Sequence, residues 1–108
     1  MSIQLQKAIE TYVNSANAGD AEAGSSCFTE KATVVDEGET LVGREKIRDW
    51  MNKTRKKYNH KTKPLTFKQT EGHAIMTAEV TGTFPGSPIT LTYSFKIENG
   101  LIADLRVV

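Results

Sequence analysis

A single cysteine, Cys27, in a chain of 108 residues leaves no internal disulfide, so the fold must rest on its apolar core. No apolar run approaches the roughly 18 residues that a membrane-spanning helix needs. The opening MSIQLQKAIE lacks the apolar stretch of a signal peptide and reads as the start of a helix, and the lone cysteine makes a reducing cytoplasm the expected compartment. Three prolines and eight glycines are scattered singly, with no repeat, low-complexity tract or linker between them. Gly-rich phosphate loops, nucleophile elbows and Walker motifs are missing, which argues against nucleotide chemistry. His60 and His73 have no partner at metal-ligand spacing, so neither metal nor cofactor is expected.

A length of 108 residues fits one domain with one modest core. Net charge is only +1, but the cations are unevenly placed. Lys53, Arg55, Lys56, Lys57, Lys61, Lys63 and Lys68 hold half of the fourteen Lys and Arg in a stretch without a single acid. Such a run is either a polyanion site or a solvated helix face leading into a polar segment. Balanced total charge and the scarcity of interleaved aromatics favour the second, and no nucleic-acid partner is expected.

Ile3, Leu5, Ala8, Ile9, Tyr12, Val13 and Ala16 recur at three- and four-residue steps, an amphipathic helix capped by Ser2 and ended near Ala18-Gly19. Asp20 caps a second short helix through about Cys27. A strand from Ala32 to Asp36, a turn at Glu37-Gly38-Glu39 and a strand from Thr40 to Val42 follow. A third helix begins after Gly43, with Ile47, Trp50, Met51, Thr54 and Tyr58 on one stripe. Strands then run from Leu65 to Thr70, His73 to Thr83, Ile89 to Glu98 and Leu101 to Val108, with Asn99-Gly100 as a hairpin turn and Pro85-Gly86 suited to a type II turn. Helices first and antiparallel strands afterwards predict an α+β domain, a curved sheet wrapped around the long helices.

The string KATVVDEGE sets an apolar strand directly against carboxylates. Period-two alternation puts Asp36 on the face of Ala32 and Val34, and Glu37 on the other. Asp36 is then either a titratable group kept in apolar surroundings or part of an exposed bend. On the Ile89–Glu98 strand, Leu91, Tyr93 and Phe95 share one face, while Thr90, Thr92 and Ser94 form a polar uncharged face able to meet a second copy.

Four strings together, TYVNSANAGD, CFTEKATVVD, LVGREKIRDW and NGLIADLRVV, resemble the nuclear transport factor two-like superfamily. Within it they resemble the ketosteroid isomerase and SnoaL-like polyketide cyclase group, over nearly the whole chain. The resemblance implies a cone-shaped domain around an apolar pocket, usually homodimeric, here through the outer sheet face. It also places Tyr12 and Asp36 where the isomerases carry a hydrogen-bonding Tyr and a general-base Asp. Those enzymes complete an oxyanion hole with a protonated Asp; this chain departs from them with Tyr93 there instead, a neutral phenol that can also donate a hydrogen bond.

The resemblance makes Asp36, Tyr12 and Tyr93 the candidate catalytic residues, with Trp50, Val34, Leu91 and Phe95 lining a pocket for a small apolar carbonyl compound. Core packing is the competing role for both tyrosines and for Trp50. Cys27 reads as a buried structural thiol, and Arg106 with Asp104 as a surface ion pair. Three function classes stay open: an isomerase or cyclase, a non-catalytic binding module for a hydrophobic metabolite, and a protein-interaction domain.

Overall fold

The structure, a computed structural model, describes residues 5–108. The expected cap Ser2 and the apolar position Ile3 lie outside the described residues. Helix α1 spans Lys7–Ala18, and the Gln6 side chain caps it by accepting from the N–H groups of Ala8 (2.8 Å) and Ile9 (3.2 Å). Its stripe buries Ile9, Tyr12 and Val13. Gly19, at φ +75°, ends it, with the Asp20 N–H donating back to the Ser15 carbonyl, the pattern of a Schellman cap. Asp20 then caps α2 (Ala21–Ser25) through the Ala23 N–H. That helix stops short of Cys27, which is buried in the link to the first strand.

Six strands follow in one sheet: β1 (Phe28–Asp36), β2 (Glu39–Val42), β3 (Lys61–Thr70), β4 (His73–Thr81), β5 (Ile89–Glu98) and β6 (Leu101–Val107), with α3 (Arg44–Tyr58) between β2 and β3. Their spatial order is β2-β1-β6-β5-β4-β3. The fold is α+β with an open curved sheet, as expected. One pairing departs from the antiparallel expectation: β1 and β6 run parallel. They are joined through α3 and the whole β3–β6 meander, and alternation of side chains looks the same in either direction, so the sequence carries no mark of it.

β3 begins four residues before the expected Leu65. Pro64 lies inside the strand because β3 is an edge strand and its register slips between Pro64 and Thr66, a bulge that absorbs the missing N–H. Lys61, Lys63 and Lys68 lie along this edge, where lysines discourage pairing with another chain. A second bulge, between Lys96 and Ile97 on the β5–β6 pair, turns β6 so that Ile102 and Leu105, three apart, are both fully buried.

The helices lie over the concave face. At one end Ile9, Phe28, Ile47, Met76, Ile102 and Leu105 close into a core without solvent exposure. On the convex face Ile75, 52% exposed, lies between its cross-strand neighbours Lys68 and Ser94, with Thr66, Thr77 and Thr92 in the next row along. The far end of α3 is pulled tightly to the end of β4: a Cβ on Gly82 would sit 2.6 Å from the Tyr58 carbonyl oxygen. Gly82→Ala is therefore expected to cost about 1–3 kcal/mol, because backbone and not a flexible side chain must move. Gly38, at φ +77° with open space around it, differs. There Gly38→Asn is expected to be nearly neutral, since asparagine tolerates the left-handed conformation, whereas Gly82→Asn should be worse than Gly82→Ala. Urea denaturation midpoints of the three variants against wild type check this.

Candidate functional site

Between α1, α3 and the sheet a cavity of about 600 Å³ opens, within the size range of small-molecule sites. Tyr12 and Ser15 of α1, Asp36 of β1, Trp50, Met51 and Tyr58 of α3, and Leu91 and Tyr93 of β5 all line it. The structure thus brings Asp36, Tyr12, Tyr93, Trp50 and Leu91 to one chamber. Val34 and Phe95, expected as lining, do not reach it: both sit in the closed core. Val34 is fully buried between Leu41 and Leu105 on neighbouring strands. Phe95 backs the site, edge-on to Tyr12 (centroids 6.3 Å apart) and stacked with Tyr93 (6.3 Å).

Asp36 ends β1 because the chain reverses immediately. Glu37 (φ +51°) and Gly38 (φ +77°) both take left-handed conformations, as a two-residue type I′ hairpin requires, and Asp36 pairs with Glu39. Alternation from the buried Ala32 and Val34 aims Asp36 inward, half-buried. The Trp50 indole Nε1–H donates to Asp36 Oδ2 at 3.1 Å. Burial pushes the Asp36 carboxyl above the ordinary carboxylate range, the Trp50 bond and the Glu37 N–H pull it back in part, and the Glu37 and Glu39 carboxylates add to the rise.

Both phenols are held neutral. Tyr12, wedged edge-on against Phe28 (5.6 Å), titrates well above its ordinary value, chiefly through burial and then through the nearby Tyr93 and Asp36. Burial takes Tyr93 up to about 12, partly offset by a hydrogen bond with Thr62. Thr62 is itself fixed from α1, for the Asn17 carboxamide donates to the Thr62 carbonyl (2.8 Å) and accepts from its N–H (2.7 Å). Two functional features escape sequence reading. Trp50 is an acid-orienting donor as well as a wall, and the exposed Glu37 accepts the Tyr58 hydroxyl at 2.9 Å across the cavity mouth. Only the shared α3 stripe of Trp50 and Tyr58 hinted at either.

The basic run has structural work. The Arg55 guanidinium donates to the carbonyls of Ala16 (3.1 Å) and Asn17 (2.8 Å), and Lys61 Nζ donates to the Asn17 carbonyl (2.7 Å), so both cations cap the negative end of α1. Lys57 lies over the Tyr58 ring at 5.0 Å. Arg106 and Asp104 form the expected ion pair at 3.4 Å. Among the described residues no group of three or more His, Cys, Asp or Glu is placed to hold a metal.

A raised Asp36 binds its proton more tightly in the folded than in the unfolded chain. Its contribution therefore favours folding below the folded pKa and is lost as pH rises through it. Asp36→Asn is expected to raise the melting temperature at neutral pH and to change it little in acid. Trp50→Phe removes a bond to the charged form, so the Asp36 carboxyl midpoint, followed by NMR titration, should move further upward.

The profile of the SnoaL-like domain family matches residues 9–105. A candidate polyketide cyclase from Sinorhizobium meliloti is 36% identical, with 96% of this chain and 95% of that one covered and a TM-score of 0.93. A ketosteroid isomerase-like protein from Catenulispora acidiphila, solved with trimethylamine, shares the fold at 18% identity, 97% and 86% coverage and a TM-score of 0.87. The epoxide hydrolase/cyclase-like enzyme SalBIII of salinomycin pyran-ring formation does so at 21%, 94% and 86%, and 0.81. No curated protein matches the chain. With nearly all of its length accounted for, the chain belongs to the SnoaL-like domain family, within the fold shared by nuclear transport factor two-like and ketosteroid isomerase-like proteins.

Proposed function

We propose that the chain is an enzyme that moves a proton on the carbon beside a carbonyl of an apolar substrate, as an isomerase or cyclase. The observation that carries this reading is a half-dry carboxylate, one oxygen held by Trp50, in the same cavity as two buried phenols. Trp50 occupies Oδ2 and leaves Oδ1 to take the proton. The C–H electron pair becomes the enolate double bond, and the carbonyl π pair moves onto oxygen, where Tyr12 and Tyr93 donate hydrogen bonds to it. Return of the proton to a conjugated carbon isomerises the substrate. Attack of the enolate carbon on a second carbonyl of the same molecule closes a ring instead, and the proton goes to the new alkoxide. The likeness to a candidate polyketide cyclase supports the second outcome as well as the first.

High phenol pKa values suit the role. Neither tyrosine ionises near neutrality, so both stay donors while Asp36 titrates. Activity then depends on the ionised Asp36, and the acid limb of the pH–rate profile is expected above the ordinary carboxylate range. With 2-tetralone as probe, deuterium exchange at the carbons beside the carbonyl measures the step directly. Asp36→Asn is expected to slow it by about 10²–10⁴-fold, and Tyr12→Phe by about 10²–10³-fold. Equal rates for wild type and Asp36→Asn would remove the base and leave the rival reading, a pocket that binds a hydrophobic metabolite without turnover.

The homodimer is part of the same proposal, with the convex sheet face as the contact. Ile75 is an exposed aliphatic side chain there, between Lys68 of β3 and Ser94 of β5, on a surface two copies can share across a two-fold axis. Ile75→Glu is expected to shift the mass measured by sedimentation from dimer to monomer.

A further inference from the structure

Among the described residues, the one buried side-chain nitrogen or oxygen without a hydrogen-bond partner is Nδ1 of His60. An orphan of this kind costs stability and is rare in folded proteins. His60 sits between the end of α3 and the start of β3, half-buried, and lines the same cavity as Asp36. No protein hydrogen bond reaches Nδ1, which is buried, so Nε2 is the ring nitrogen left to meet a ligand in the cavity. With the ring proton on Nδ1, the lone pair of Nε2 is free to accept.

The position is as informative as the chemistry. Asp36 is the last residue of β1 and His60 directly precedes β3, and four strand-to-strand steps separate those strands. At about 4.8 Å per step, less the curvature, the two groups mark opposite ends of a chamber roughly 15 Å across. Tyr12 and Tyr93 lie in the wall between them. Arg55 and Lys61, the cations that face His60, are fixed on α1 carbonyls, and with burial they keep the ring neutral and able to accept.

We infer that His60 is the distal specificity residue of the cavity, accepting through Nε2 a hydrogen bond from a hydroxyl on the end of the ligand opposite its carbonyl. The substrate class is then an elongated, largely flat apolar molecule with a carbonyl at one end and a hydroxyl at the other. Only the carbonyl end rests on the proposed reaction; the hydroxyl end rests on His60 alone.

Two fluorescent probes separate the ends: 6-acetyl-2-naphthol, which carries both groups, and 2-acetylnaphthalene, which lacks the hydroxyl. Binding is read by probe fluorescence and requires no turnover. Wild type is expected to bind the naphthol roughly five- to tenfold more tightly. His60→Leu should erase that preference, while His60→Gln, whose side-chain oxygen can also accept, should keep part of it and guards against a folding defect. Asp36→Asn should alter both affinities alike and leave the preference standing. Equal binding of the probes by wild type, a preference that survives His60→Leu, or no binding of either probe would overturn the assignment. Loss of proton exchange in Asp36→Asn is a separate readout, so the base and the distal contact fail independently.

Discussion

The site depends on one unfavourable act, the partial drying of the Asp36 carboxylate without a cation to balance it. Nothing positive is spent on it: Arg55 and Lys61 are committed to the carbonyls at the end of α1. What offsets the lost hydration is a single indole N–H and one backbone N–H, each directed at the charged form. A carboxylate paired with a guanidinium would be better satisfied but would sit at a depressed pKa, a poor base toward carbon. The weaker arrangement keeps the group raised and reactive, and the fold supplies the stability elsewhere, in the closed core around Phe28, Ile102 and Leu105.

That division between a packed end and a hollow end explains which parts were legible in the sequence. Period-two alternation identified the inward face of β1 and β5, and so named Asp36, Tyr93, Leu91, Val34 and Phe95 together. It says nothing of how far along a strand the helices cover that face. Val34 and Phe95 fall under α1 and α3 and pack; Leu91, Tyr93 and Asp36 fall beyond and meet the cavity. Depth is a tertiary quantity, set by where two helices diverge, and no local pattern records it. For the same reason Trp50 was readable as an inward residue of α3 but not as the donor to Asp36, fourteen positions away.

Turns were more transparent than strand ends, because turn chemistry is local. Asn99-Gly100 and Glu37-Gly38 adopt the paired positive φ values that tight hairpins need, and Gly86 takes φ +88° after Pro85 as a type II turn demands. The early start of β3 was less legible: proline disfavours a strand, and only the place of Pro64 on an edge with a bulge makes it tolerable. The parallel β1–β6 pair was invisible because direction is decided by what lies between the strands.

The basic run shows how several charges of one composition signal take structural addresses. Arg55 and Lys61 anchor the end of α1, Lys57 covers Tyr58, and Lys61, Lys63 and Lys68 protect the β3 edge. These contacts also serve the cavity. Holding the end of α1 fixes Asn17, and Asn17 fixes Thr62, which lines the cavity together with Tyr93. Tyr58, under Lys57, reaches Glu37 and lies edge-on to Phe84 at 5.7 Å, bridging the turn after Asp36 to the loop after β4. Charges that look like a surface for an outside partner are thereby part of the frame that keeps an acid, two phenols and an imidazole facing one chamber.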